Sequence, residues 1–348
     1  MDFIHREEAL FMSEQFNYKS VLAPYMKHLL RIKTSAGISA HRMKWILKEF
    51  DDFAINSNLT TPHITSDLII SWRKTRVDDC ERTIYAKYSV WAQLTTLMCR
   101  TGCPCFIPKL PKQPHPDFTP YIFTNEQIAS IFKACDEYRL YDVRMGTSLI
   151  AMPTLLRFLY STGTRISEAL SIKNEDVYLD ERFIMLRKTK NGTERIVPIC
   201  DSFYDVLVEY ISYRNKMPVA NITAPKGWLF VKADGTNFQT GAVYQHFRKL
   251  LKQIGVPHLG NHHGPRVHDL RHTYAVHALI QIGRNGMDLY TGLPILSACL
   301  GHHSLSATEQ YVRLTFMMYP ELEQQCSLVN AFVYPKMCKA YDDNDRLC

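Results

Sequence analysis

Four short stretches of this chain hold residue types that can do chemistry together. The first is Thr162-Gly163-Thr164-Arg165-Ile166-Ser167-Glu168, and the second is Thr189-Lys190-Asn191-Gly192-Thr193-Glu194-Arg195-Ile196-Val197-Pro198. The third is Val267-His268-Asp269-Leu270-Arg271-His272-Thr273-Tyr274-Ala275. The fourth is Leu300-Gly301-His302-His303-Ser304, with Tyr311-Val312-Arg313 behind it. Guanidiniums such as Arg165 and Arg271 each offer a planar fork of donors that matches phosphate oxygens. The imidazoles of His268 and His302 can donate to the same phosphate or carry a proton. Lys190, in a turn, is a mobile and titratable cation suited to protonating a leaving oxygen. Tyr311 is a nucleophile once ionised. With an ordinary pKa near 10, only about one phenol in a thousand is charged at neutral pH, and neighbouring arginines favour the charged form. These stretches hold no carboxylate cage for magnesium, so the positive charge would come from side chains alone.

Plainer readings compete for several of these residues. An isolated arginine is usually a surface salt bridge. Arg165, however, stands at a helix start with Glu168 three positions on, placed to orient it. Lys188 could compete with Lys190 for its role. His272 reads as a supporting, packing histidine without a chemical part. His268-Asp269-Leu270-Arg271-His272 imitates the zinc-protease pattern His-Glu-x-x-His. Its Asp is one methylene too short, and Arg271 would set like charge beside a zinc ion. Cys99, Cys103 and Cys105 cluster, but no second pair at ligand spacing lies nearby. Neither a metal nor another cofactor is expected.

These stretches need elements to hold them. Thr124 and Gln127 have capping-box spacing before a helix through Ile128, Ile131 and Phe132. A buried helix over 152–160 should end near Gly163. Residues 183–186 and 195–198 read as short strands joined through Lys190-Asn191-Gly192, since Asn-Gly favours hairpins. Residues 228–231 read as a further strand. Helices are predicted over 267–281 and 294–300, and a terminal helix beyond Leu314. Upstream, apolar residues recur at three- and four-residue steps through Val21, Leu22, Tyr25, Met26, Leu29 and Leu30. Trp45, Ile46, Phe50 and Phe53 repeat the pattern. Ser66 and Asp67 could cap a short helix, and a longer one spans 81–99, with Tyr85, Tyr88, Trp91 and Leu94 facing inward. That makes a small helical bundle.

Prolines crowd between residues 104 and 120, where six of the chain's 17 lie, so 106–121 cannot be an ordinary helix or central strand. The chain therefore divides into a helical domain over 1–105, a linker over 106–121, a mixed domain over 122–330 and a tail over 331–348. Across 348 residues, 46% are apolar and 22% charged, which excludes a wholly disordered chain or a low-complexity fibre. The formal charge of +7 permits a polyanion partner without demanding one. No run is long and apolar enough to span a membrane. Acids near the N-terminus do not suit a signal peptide, so a cytoplasmic location, with the nucleoid if bacterial, is expected.

The order Arg165, Lys190, His268-x-x-Arg271, Leu300-Gly301-His302, Tyr311 resembles the tyrosine recombinases, also called the phage-integrase family. The resemblance covers most of residues 124–314. The nine residues from His302 to Tyr311 match the family's interval and select Tyr311 over Tyr290 and Tyr319. The resemblance implies a mainly helical fold with a small β-sheet. An N-terminal helical core-binding bundle would precede an integrase-type α/β catalytic domain. It implies that Arg165 and Arg271 clamp a scissile phosphate with His268 and His302. Lys190 would be general acid toward the 5′ oxygen, and Tyr311 would form a 3′-phosphotyrosine, with no ATP or metal required. It makes double-stranded DNA at specific recombination sites the partner, bound by a homo-tetramer and possible accessory recombination proteins. Lys27, Arg31, Lys33, Lys44, Lys48, Arg73, Lys74, Arg76, Arg82, Lys87 and Arg100 of the bundle then become phosphate contacts. Residues 293–302 look more like mobile-element integrases and transposases than chromosome-dimer resolvases. A type IB topoisomerase-like enzyme, or a relative that binds DNA without cutting it, remains an alternative.

Overall fold

The computed structural model describes residues 16–38, 40–113, 119–141, 149–187, 189, 192–257 and 264–319. The chain forms two compact units, Met1–Phe118 and Thr119–Cys348. No helix among the described residues is long and apolar enough to cross a membrane.

The first unit contains α1 (Ala23–Ser35), α2 (His41–Asn56), α3 (Ser66–Lys74) and α4 (Glu81–Arg100). Asp51, fully buried on α2, accepts from the backbone N–H groups of Lys19 and Ser20 and so fixes the chain entering α1. The core is aromatic. Phe50 stacks on Trp91 at 3.8 Å, and Trp72 meets both rings edge-on. Burying such side chains contributes roughly 1.5–3 kcal/mol each, and offset or edge-on geometry adds to it. Three expectations need correction. The cap of α3 is Thr65, whose hydroxyl accepts from Leu68 N–H, while Ser66 opens the helix itself. On α4, Tyr88 packs against the core edge-on to Trp72 as expected, but Tyr85 does not join it, and the buried stripe is Ile84, Lys87, Val90, Trp91, Leu94 and Met98. Trp45 stays 46% exposed and packs edge-on against Phe16.

The second unit begins with α5 (Asn125–Tyr141), opened by the expected box: Thr124 and Gln127 exchange backbone-to-side-chain hydrogen bonds. Next comes α6 (Met152–Thr162), apolar on most faces because the core surrounds it. It stops at Gly163, whose φ of 62° is left-handed. One turn, α7 (Ile166–Ala169), leads to an antiparallel sheet of β1 (Val177–Tyr178), β2 (Phe183–Leu186) and β3 (Arg195–Pro198), in the order β1-β2-β3. The β2–β3 ladder closes at Leu186 and Arg195, so Asn191-Gly192 lies inside a longer connection instead of turning the hairpin alone. Residues 228–231 form no continuous strand but hold two isolated antiparallel bridges, Trp228 with Lys173 and Val231 with Asn237. Leu229 N–H bonds Ile172 O, and the Tyr210 hydroxyl joins Leu229 O to Val231 N–H. A side chain thus satisfies backbone groups that a neighbouring strand would otherwise pair.

The remaining helices are α8 (Asp201–Asn215), α9 (Thr240–Gln253), α10 (Asp269–Arg284), α11 (Leu289–Leu300) and α12 (Ser306–Met318). The expected helix start at Pro294 is wrong, because α11 begins at Leu289 under an Asp288 cap and keeps Pro294 inside. Proline in a helix interior costs about 3 kcal/mol. Burial of Leu289, Leu293, Leu296 and Leu300 against Val276, Leu279 and Val312 offsets it. The predicted terminal helix and the tail over 331–348 lie outside the described residues.

Candidate active site

Arg271 is the centre of the cluster. It projects from the first turn of α10 and is 2% exposed. Its Nη1 donates to Gly163 O, and its Nη2 donates to Leu300 O, each at 2.8 Å. Those carbonyls lie at the C-termini of α6 and α11, the negative ends of two helix dipoles. Both helices stop at left-handed glycines, Gly163 and Gly301. A Cβ on Gly163 would collide with the Tyr274 ring, and one on Gly301 would sit 2.8 Å from Arg195 Nη1. The left-handed conformation favours glycine at both places, and at Gly163 the Tyr274 ring excludes a side chain as well. Burial, and Arg165 beside it, pull the Arg271 guanidinium down to about 10, so it stays charged at neutral pH.

Arg165 is the N-cap of α7. Its backbone N–H bonds Glu168 Oε2, and its Nη1 bonds Glu168 Oε1 at 2.8 Å. Glu168 also takes Nη2 of Arg195 on β3, at 2.7 Å. Burial alone would raise this carboxyl. The bonds from Arg195 and Arg165 outweigh burial and hold it below its ordinary value. Arg195 reaches on to the carbonyl of Cys299 in the last turn of α11, so it ties α7, the sheet and the turn before His302 together. Sequence reasoning assigned it no role. Its signal was the one arginine in the Thr-Glu-Arg-Ile-Val-Pro stretch.

His302 follows Gly301. Its Nε2 faces Arg271 Nη2 at 2.9 Å, and its Nδ1 faces the hydroxyl of buried Thr308 at 2.8 Å. Arginine can only donate, so Nε2 accepts and Nδ1 carries the proton. Thr308, in the first turn of α12, gave no sign in the sequence. Burial, then Arg271, Arg165, Arg195 and His268, hold His302 at about 4. Burial with Arg271, Arg266 and Arg165 does the same for His268, also at about 4. Both imidazoles are neutral near pH 7.

Tyr311 lies on α12 with 1% exposure, its ring nearly parallel to His302 at 6.3 Å. Arg271 and Arg165 favour its ionised form, as expected, but burial outweighs them and the phenol stands above its ordinary value. His272 departs from its packing role, since its Nδ1 lies 2.8 Å from the Tyr311 hydroxyl. Tyr290 is exposed, and Tyr319 is half-buried against the α10–α12 cluster. The structure thus brings together Arg165, Glu168, His268, Arg271, His272, His302 and Tyr311. Lys188 and Lys190 lie outside the described residues.

The bases assigned to DNA in the first unit divide. Lys27, Arg31, Arg73, Lys74, Arg82 and Arg100 are exposed. Lys33 is half-buried, as is Lys48, which pairs with Asp52, and Arg76, which pairs with Glu49. Lys44 and Lys87 are corrections, because both are buried. Lys87 is held by Glu49 at 2.5 Å and Asp79 at 2.6 Å. Neither ammonium is on the surface to meet a phosphate.

The sequence model of the phage integrase family matches residues 122–318. The chain belongs to the phage integrase family, the tyrosine recombinases. The putative integrase/recombinase y4rB of Sinorhizobium fredii is 30% identical over 261 residues, covering 72% of this chain and 80% of its own length. The tyrosine recombinase XerA of Pyrococcus furiosus is 27% identical over 228 residues, 65% of this chain and 67% of its own. Among solved structures, the Tn1549 transposon integrase in complex with circular intermediate DNA has a TM-score of 0.58 at 18% identity, covering 82% of this chain and 94% of that one. XerH bound to palindromic difH substrate, in a post-cleavage complex, has a TM-score of 0.57 at 18% identity, covering 76% and 73%. At such identities the structural likeness speaks for the fold, which is the mainly helical integrase type with its small sheet.

Proposed function

We propose that this integrase-family chain is a site-specific DNA recombinase, cutting and rejoining strands through a 3′-phosphotyrosyl link to Tyr311. The observation that carries this reading is the placement of a buried phenol beside Arg271, a buried guanidinium with no carboxylate at salt-bridge distance among the described residues. Such a cation calls for an anion from outside, and a phosphodiester supplies one. Arg165, held by Glu168, gives the second fork. Arrival of the phosphate's negative charge raises the depressed histidines, so that His268 and His302 can become donors to it. Tyr311 gives up its phenol proton to water as its oxygen attacks phosphorus, and the 5′ oxygen departs, taking its proton from Lys190. Bond energy stays in the phosphotyrosine, and a 5′ hydroxyl from the partner strand reverses the step.

Similarity to y4rB and to the Tn1549 transposon integrase supports a mobile element as the carrier of this gene, with integration or excision as its task. Exchange between duplexes needs one tyrosine for each strand broken, which calls for a tetramer on DNA. Accessory recombination proteins would choose direction. The exposed bases of the first unit supply phosphate affinity.

The test is a nicked suicide duplex. The wild-type chain should form a covalent adduct that survives EDTA, and Tyr311→Phe should form none while still binding. Binding without an adduct would leave only a DNA-binding relative. Relaxation of any supercoiled plasmid, without a site requirement, would favour topoisomerase-like action.

A further inference from the structure

We propose that His272 is a positioning residue for strand cleavage: its Nδ1 accepts the Tyr311 hydroxyl proton in a hydrogen bond and so aims the phenol oxygen at the phosphorus. The proposal rests on the recombinase reading above and adds a residue that the recognition pattern leaves as packing.

The contact is short, 2.8 Å from Nδ1 to the hydroxyl oxygen, between rings 5.7 Å apart and inclined at 45°. Its direction follows from counting donors. The groups facing His272 are His268 and Arg271 on α10, Arg266 just before it, His302 on the turn after α11, and Tyr311 on α12. Burial, then His268, Arg266, Arg271 and His302, hold the imidazole at about 3, so it is neutral near pH 7 and keeps one unprotonated nitrogen. The Arg271 guanidinium favours the ionised phenol and can only donate. Were His272 to donate, the phenol's own proton would face only donors at a residue 1% exposed, which is unfavourable. With Nδ1 as acceptor, each group is used. The O–H then points at His272, and a lone pair faces the guanidinium where the phosphate is to sit. The 2.8 Å contact fixes the direction of the O–H, and orienting the nucleophile is the part it gives His272.

The experiment compares His272→Phe, which keeps a ring, with His272→Asn, which restores an acceptor near Nδ1. Single-turnover adduct formation is followed on nicked duplexes selected by wild-type binding from a random-sequence pool. Affinity is read by mobility shift and folding by thermal melting. His272→Phe should cleave about 10²-fold more slowly, the scale of a nucleophile misplaced by an ångström. DNA affinity should change less than about twofold, and Asn should recover about tenfold of the lost rate. Phe cleaving as fast as wild type, or faster, overturns the proposal, the latter because the contact would then be a resting latch. Equal losses in Phe and Asn, or a loss matched by weaker binding, also overturn it. If the Phe variant does not fold, Asn must still outpace His272→Gln, whose acceptor lies one bond too far. No adduct from the wild-type chain would defeat the recombinase reading instead, a separate result.

Discussion

Lys87 in the first unit and Arg271 in the second are both buried cations, at 7% and 2% exposure, and the protein treats them in opposite ways. Lys87 is closed between the carboxylates of Glu49 and Asp79, and Glu49 also receives Trp72 Nε1–H. Its charge is balanced within the fold. Arg271 is anchored by two backbone carbonyls and by His302, with Arg165 and Arg195 repelling it. Its charge is held in place but not cancelled. Burial alone therefore does not mark a functional cation; the lack of a carboxylate within salt-bridge distance, among the described residues, does.

That contrast can be broken first at Arg271. Arg271→Ala should lower single-turnover cleavage by about 10²–10³-fold, the loss seen when one donor to a developing anion is removed. Mobility-shift affinity should change only a few-fold, and equal losses in both would mean that the guanidinium merely binds. Lys87→Ala should behave in the reverse way. Opening a buried pair costs about 3–5 kcal/mol, read by urea unfolding, with cleavage per folded molecule unchanged. Lys87→Met combined with Glu49→Gln and Asp79→Asn should regain most of that stability. Next comes pH. His268, His272 and His302 stand at about 4, about 3 and about 4 in the folded chain. The unfolded chain takes up their protons near 6.5. Stability is thus complete above that value and falls as pH drops from about 6.5 toward 4. Glu168, held below its ordinary value, adds to the loss only in the acid range. Urea titrations between pH 7 and about 5.5, above the ordinary carboxylate range, isolate the histidines; a flat profile would contradict their buried neutrality. The smallest effect belongs to the exposed bases. Arg31→Ala should weaken binding evenly across sequences and reduce the salt slope by about one.

Much of this was legible from the sequence because motif residues announce both helix ends and chemistry. Gly163 marked the end of α6, Thr124 with Gln127 marked the start of α5, and Arg165, His268, Arg271, His302 and Tyr311 do meet. Lys87 was misread although its phase was visible, since it follows Ile84 by three and precedes Trp91 by four, on the buried stripe. Lys44, three before Leu47, has the same signature. Residues 228–231 misled because an apolar run says that a segment is buried without saying whether a strand or the Tyr210 hydroxyl satisfies its backbone. The contacts of His272, Arg195 and Thr308 depend on how α10, α11 and β3 pack, and no local pattern carries that.

The paired glycines at the ends of α6 and α11 have a consequence for anyone retargeting this enzyme by random mutagenesis. Selections for activity should return Gly163 and Gly301 unchanged, together with the Tyr274 and Arg195 side chains that crowd them. Useful diversity has to be sought elsewhere, on surfaces where an added methyl group meets only water.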